Sequence, residues 1–297
     1  MIKGNQGYFS MDFETINVVY SGNDDYRDAL MISLLSLVMH NQNHPIHVIY
    51  LTGDFTIKDK EYKALTGAHA YDIISYCKKY NRKLTYEVLE MNKYLDDFFI
   101  KNPNLKTTYT PYSMLRLLLD KVDHLPERLL YLDGDTLIMG DIYQLYSMDM
   151  GEYELGMVQD AVGHHYFGRK YCNSGVLLMN MKAIKENDLF TKTRRFLKHH
   201  LLFMPDQTSL NATCKKKKLI LPRIYNEQKE VREDTIIRHY CKVLHWLPYP
   251  HTINIKPWHP EEFKKAFGDI SSDVIEEFIR IKGDQKNKQE VYDFFNK

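Results

Sequence analysis

Two aspartates separated by one glycine stand directly after an apolar run, in Leu129-Leu130-Tyr131-Leu132-Asp133-Gly134-Asp135. Residues Arg128 to Leu132 read as a short buried strand. The carboxyl ends of strands are where open α/β sheets bind ligands. Alternate residues of an extended segment point the same way, so Asp133 and Asp135 can face one ion. Gly134 between them lets the backbone come close to a ligand. Two hard oxygen ligands suit Mg²⁺ or Mn²⁺, with diphosphate oxygens completing the shell. The same three residues also make an ordinary turn after a strand, since Asp and Gly serve turns freely.

Other chemistry-bearing residues are spread along the chain. Arg116 interrupts an otherwise apolar helix, Pro111 to Leu119. A guanidinium there needs a partner: a phosphate, a sugar-facing carboxylate or a structural ion pair. Pro205-Asp206-Gln207 opens a further helix, with Asp206 suited to the N-cap. The run Lys215 to Lys218 reads as a solvated helix end, or as a contact for anionic lipid head groups. The paired histidines His164, His165, His199 and His200 read as loop or helix-surface positions.

The elements that must position these groups follow a strand–helix–strand grammar. Ile16 to Tyr20 is a compact apolar run that breaks at Ser21-Gly22-Asn23-Asp24-Asp25, and a helical pattern follows from Tyr26 to Met39, with Leu30, Leu34, Leu35 and Val38 on one face. His47 to Leu51 and Leu84 to Leu89 read as strands, with an amphipathic helix over Lys58 to Tyr80 between them. Further strands are expected at Leu155 to Val158, Gly175 to Met179 and Thr235 to Tyr240, and the tail from Pro260 is charged and helical in pattern. This order predicts an α/β fold with a mixed central sheet, a Rossmann-like domain over residues 1–259 and a helical C-terminal extension over 260–297.

Composition bounds the function. The chain has 297 residues, 44% of them hydrophobic, which supports a real core. A formal net charge of +1 supplies no field that would select nucleic acid. The four cysteines, Cys77, Cys172, Cys214 and Cys241, form no C-x-x-C pair, which argues against a zinc ribbon and for a reducing compartment. Met1 to Ser10 is polar, and no apolar run is long enough to span a bilayer. The expectation is a soluble cytoplasmic protein, with peripheral contact at the inner membrane face left open.

Several segments together resemble family 8 glycosyltransferases, the retaining GT-A enzymes that include bacterial lipopolysaccharide galactosyltransferases and glucosyltransferases and glycogenin. Tyr20-Ser21-Gly22-Asn23-Asp24-Asp25-Tyr26 resembles the family's A-A-D-D-N-Y nucleotide loop, with Asn23 where Asp is usual and Asp25 where Asn is usual. Tyr112-Ser113-Met114-Leu115-Arg116-Leu117 resembles its Y-x-R-L helix with one extra residue. Asp133-Gly134-Asp135 corresponds to D-x-D, Asn173 to Asn180 to N-[AS]-G-V-[LM]-L-x-N, Asp206-Gln207 to the D-Q pair, and Lys256-Pro257-Trp258 to the closing K-P-W. A haloacid dehalogenase phosphatase also sets an aspartate pair after an apolar strand, but its motif leaves a residue between the second Asp and the Thr. Here Thr136 follows Asp135 directly.

The resemblance implies a UDP-sugar donor of galactose or glucose type, a divalent metal, retention of configuration, and a glycan, glycolipid or glycoprotein acceptor. It implies that Ser21, Asn23, Asp24 and Tyr26 hold uracil and ribose, and that Arg116, Asp133, Gly134, Asp135, Asn173, Ser174 and Lys256 border the donor. Asp206 would bind sugar hydroxyls, and Gln207 would lie near the anomeric carbon. An amide is a poor nucleophile, but its oxygen dipole can stabilise an oxocarbenium-like transition state. The family's metal-ligating histidine has three candidates, His239, His245 and His251. Delivery by a strand favours His239 over His251, whose spacing to Lys256 is nearest the family's. The altered nucleotide loop keeps a second class open, a nucleotide-sugar-binding protein without turnover.

Overall fold

The computed structural model describes residues 14–57, 59–106, 111–245 and 251–295. Seven strands make the central sheet: β1 Ile16–Ser21, β2 Ile46–Thr52, β3 Leu84–Glu90, β4 Arg128–Leu132, β5 Leu155–Gln159, β6 Cys172–Asn180 and β7 Lys218–Leu221, in the order β7-β5-β6-β4-β1-β2-β3. β1 pairs in parallel with both β2 and β4, and β2 with β3; β6 runs antiparallel to β4 and β5. The sheet is therefore mixed, as expected, and its strands read as near-continuous apolar runs because both faces are covered. Leu129, Leu130, Tyr131 and Leu132 in β4 are all essentially inaccessible.

Two features of this order position the site. The chain leaves β1 towards β2 on one side and returns to β4 on the other, so the C-terminal ends of β1 and β4 flank a topological switch point. Because β6 runs the opposite way, its beginning, Cys172-Asn173-Ser174, lies at the same edge as the ends of β4 and β5.

The main helices are α1 Arg27–His40, α2 Gly67–Cys77, α3 Leu189–His199, α4 Pro205–Thr213, α5 Pro260–Phe267 and α6 Ser272–Phe295. α1 buries every residue from Ala29 to Val38. It is enclosed because Val274, Ile275, Phe278 and Ile281 of α6 share its hydrophobic cluster with the sheet. Its two buried serines fasten it to the strand after the Asp-Gly-Asp turn: Ser33 Oγ lies 3.1 Å from Thr136 Oγ1, and Ser36 Oγ accepts from Ile138 N at 2.9 Å.

Three local expectations need correction. The stretch read as a helix over Lys58 to Tyr80 begins as a hairpin, Phe55–Ile57 against Lys60–Tyr62, and only α2 is helical. Asp59 takes a left-handed φ of 62° at the turn, and Thr66 caps α2 by accepting from His69 N. The helix expected over Pro111 to Leu119 is α-helical only at Tyr112–Leu115 and tightens to a 3₁₀ turn over Arg116–Lys121. The lysine run is only in part a solvated helix end: exposed Lys215 and Lys216 follow Cys214, the C-cap of α4, but Lys218 starts β7, and its ammonium donates to Lys170 O and Asn211 Oδ1 at 2.7 and 2.6 Å. Among the described residues, no helix is long and apolar enough to cross a membrane.

Candidate functional site

A cavity of about 820 Å³ opens at the edge where β4, β5 and β6 converge. It gathers Arg116, Asp133, Asp135, Asn173, Ser174, Asp206, Gln207, His239 and Lys256, residues drawn from segments far apart in sequence.

Asp133 directly follows β4, and its backbone N–H donates to Gly175 O at 2.8 Å. Beyond the turn, Thr136–Ile138 pairs antiparallel with Ile237–His239, so that His239 stands opposite Thr136. This short pairing delivers the histidine to the aspartates. His239 Nε2 lies 3.1 Å from Asp135 Oδ1 and 3.8 Å from Asp133 Oδ2. On its other side, Nδ1 lies 3.1 Å from Asn173 Oδ1 and 3.2 Å from Asn226 Oδ1. One ligand atom from each of Asp133, Asp135 and His239 falls within 4.8 Å of the others. Of the other candidates, the backbones of His245 and His251 pair in a small hairpin, and their side chains lie outside the described residues.

Arg116 is fully buried beneath this cluster. Its guanidinium donates to Ser113 O, to Ser174 O and to Asp133 Oδ1 at 3.1 Å, and stands 3.2 Å from Asp206 Oδ2. It also lies over the Tyr131 ring, 3.8 Å from the centroid. Burial works against its charge, but Tyr131, Asp133 and Asp206 more than compensate and raise its pKa. The partner of Arg116 is thus a pair of carboxylates inside the site.

The two motif aspartates are held differently. Burial pushes the Asp133 carboxyl up and Asp135 adds to this, with Arg116 opposing. Burial would raise Asp135 too, but Lys256 and His239 outweigh it and hold its carboxyl below the usual range. Lys256 Nζ donates to Asp135 Oδ2 at 2.6 Å and to Tyr240 O at 2.7 Å.

Asp206 is not the helix cap expected of it. Met204 occupies that position and Pro205 the first turn, where its missing N–H costs nothing. The Asp206 carboxylate accepts from Ser174 Oγ at 3.0 Å and faces Arg116 instead. Gln207 is held at both ends of its amide. Nε2 donates to Asp160 Oδ2 at 3.0 Å, and Oε1 accepts from Asn173 Nδ2 and Ser174 N at 3.1 and 3.2 Å.

Not every expected residue comes to the cavity. Ser21, Asn23, Asp24, Tyr26 and Gly134 are absent from its lining. The Ser21 hydroxyl donates to Tyr112 O at 2.5 Å, Asn23 Nδ2 donates to Asp25 at 3.3 Å, and Asp24 Oδ1 accepts from Thr66 N and meets His69 Nδ1 at 2.7 Å. Gly134 makes room for a side chain, since a Cβ there would meet Tyr26 Cε1 at 2.7 Å. The Tyr26 ring is therefore wedged between Gly134 and the edge of Trp258, 5.3 Å from its centroid.

Asp160 was missed from the sequence. It follows β5 as Asp133 follows β4, in Leu155-Gly156-Met157-Val158-Gln159-Asp160, and that parallel was the available signal. Its Oδ1 accepts from Val162 N and Gly163 N, and its Oδ2 from Asn173 and Gln207, all uncharged donors. Four carboxylates, Asp133, Asp135, Asp160 and Asp206, thus share the cavity with four basic side chains, Arg116, Lys229, Lys242 and Lys256. Two carboxylates and an imidazole whose ligand atoms lie this close together fit a divalent cation.

The family model described as Glycosyl transferase family 8 matches residues 17–262. The lipopolysaccharide 1,2-glucosyltransferase of Escherichia coli (strain K12) is 25% identical over 265 residues, covering 83% of this chain and 73% of that protein. The "Probable glycosyl transferase Gly" of Streptococcus gordonii is 30% identical over 138 residues, 46% of this chain but only 20% of the relative's own length. Among solved structures, the galactosyltransferase LgtC with donor and acceptor sugar analogues superposes with a TM-score of 0.62 at 18% identity, over 91% of this chain and 96% of LgtC. That likeness gives the GT-A fold. With the family model matched across most of its length, this chain belongs to glycosyltransferase family 8.

Proposed function

We propose that this protein is a metal-dependent retaining hexosyltransferase. It would take galactose or glucose from a UDP-sugar and form an α-linkage on a glycan, glycolipid or glycoprotein. The observation that carries this is the convergence of Asp133, Asp135 and His239 on one point, in the same cavity as Asp206 and Gln207. A divalent cation held by the three would take diphosphate oxygens and disperse the charge that grows on the leaving group. The imidazole tilts the choice towards Mn²⁺ over Mg²⁺.

The remaining steps belong to side chains. Lys256, paired with Asp135, would meet a diphosphate with a further positive charge. Asp206, oriented by Arg116 and Ser174, offers a carboxylate to sugar hydroxyls. The Gln207 amide is fixed by Asp160, Asn173 and Ser174, so it presents a set dipole and no nucleophile. Displacement on one face then follows, with the leaving diphosphate accepting the incoming hydroxyl proton. Uracil and ribose are assigned to the loop Ser21 to Tyr26, which lies outside the cavity and adjoins it through Tyr26 on Gly134.

The test is a panel of UDP-sugars incubated with Mn²⁺, with and without chelator. UDP-galactose or UDP-glucose turnover that stops with chelator is expected, and proton NMR of the first product should show the α-anomer. A UDP-sugar that binds tightly without hydrolysis or transfer would instead favour the binding protein, and a β-product would overturn the mechanism.

A further inference from the structure

Three large aromatic side chains are exposed where burial would be expected. Phe203 is 82% accessible, Tyr166 63% and Phe167 56%. All three line the cavity that holds Gln207. Apolar surface rimmed by polar groups marks a ligand groove more often than a neutral surface. We infer that Tyr166, Phe167 and Phe203 form the platform on which the acceptor lays the C–H face of a pyranose ring. This rests on the transferase reading of the same site.

The platform is tied to the reacting centre from both sides. Tyr166 and Phe167 end the short helix Gly163–Phe167, whose first N–H, that of Gly163, is held together with that of Val162 by Asp160 Oδ1. The other oxygen of that carboxylate holds Gln207. The Phe167 ring rests on Tyr171 at 4.8 Å, and the Tyr171 hydroxyl lies 2.8 Å from Thr208 Oγ1 in α4. Phe203 stands three residues before Asp206, in the turn that opens α4. The helix that carries Tyr166 and Phe167 is thus joined to the Asp206–Gln207 pair through Asp160 and Tyr171, and Phe203 through the chain itself.

The chemistry of the cavity selects the occupant. Its lining combines the exposed rings of Tyr166, Phe167 and Phe203 with the buried polar groups of Asp160, Asn173, Ser174 and Gln207. A ligand that fits must be apolar on one face and hydroxylated on the other. A pyranose ring is both, and its polarised C–H bonds meet the negative face of an aromatic ring. A hydrocarbon chain lacks the hydroxyls, and a serine peptide lacks the flat C–H face.

The experiment uses the full chain with UDP and Mn²⁺, and probes methyl α- and β-glucopyranosides and galactopyranosides by saturation-transfer NMR. In the wild type, saturation should concentrate on ring protons of one face. Phe203→Ala and Tyr166→Ala should each weaken glycoside binding about tenfold, while calorimetry with UDP reports that the donor side remains folded. Unchanged glycoside affinity in both variants would overturn the platform. So would binding of a serine peptide or a short lipid in place of every glycoside. Glycosides that bind in the expected way, to a protein that never turns over a UDP-hexose, would leave the platform standing and remove the transferase reading.

Discussion

Gly175→Ala places one methyl group against the centre of the proposed metal site. Gly175 lies in β6, next to the side chains of Asp133 and His239. A Cβ there would stand 2.2 Å from His239 Cε1, 2.6 Å from Nδ1 and 2.9 Å from Asp133 Oδ2, where ordinary contact begins at 3.4 Å. Gly175 is not among the glycines with positive φ, so the backbone tolerates alanine and the cost is steric alone. His239 would have to retreat by about 1 Å, whereas metal–ligand distances tolerate only about 0.2 Å. The ring cannot slide freely, because it is 3% exposed and held between Asp135, Asn173 and Asn226. The half-saturating Mn²⁺ concentration should rise about 10- to 100-fold, read by electron paramagnetic resonance with UDP present. Overpacking should also cost about 1–3 kcal/mol in denaturant melts. His239→Ala removes the two shortest contacts and leaves only Asp133 Oδ2 at 2.9 Å, so adding Gly175→Ala to it should cost less stability than Gly175→Ala costs the wild type. Mn²⁺ affinity in Gly175→Ala equal to the wild type would refute this geometry.

Other perturbations have outcomes set by the same contacts. Asp135→Asn removes a charged ligand and the counter-ion of Lys256, so UDP-hexose turnover should fall at least about a hundredfold while circular dichroism keeps its shape; full activity would sink the metal assignment. Arg116→Met strips Asp133 and Asp206 of their buried cation and should cost about 3–5 kcal/mol in chemical denaturation. Cys241 lines the cavity, yet burial, with Asp135 and Asp160, pushes its thiol up to about 12. Iodoacetamide should therefore label it far more slowly than free cysteine at neutral pH, with the rate still climbing above pH 9.

The parts of this protein that were legible in the sequence share a physical cause. β4 and its two aspartates could be read because a fully buried strand is a continuous apolar run, and the residues just past its end stand at the ligand edge. His239 could be placed by the same logic, since a strand delivers it, although nothing in the sequence showed that its partner would be the three residues after Gly-Asp. Residues 58–80 misled because the amphipathic spacing of α2 continues backwards into a hairpin turn, where Asp59 adopts a conformation that spacing cannot report. Asp206 misled for a tertiary reason: the buried Arg116 claims a carboxylate that local chemistry would give to the helix end. Gly134 was expected to admit a ligand and instead admits Tyr26, a residue from the far end of β1's loop. Asp160 escaped because one aspartate after one strand is common, and its importance comes from the helix and the amide that it joins.

Anomalous diffraction from crystals grown with UDP and Mn²⁺ would locate the metal itself. One strong manganese peak is expected within bonding distance of Asp133, Asp135 and His239, with diphosphate oxygens on its open side and Lys256 turned towards them. A manganese peak that leaves His239 without a metal bond, or UDP diphosphate bound away from these aspartates, would contradict the metal-dependent transferase proposed here.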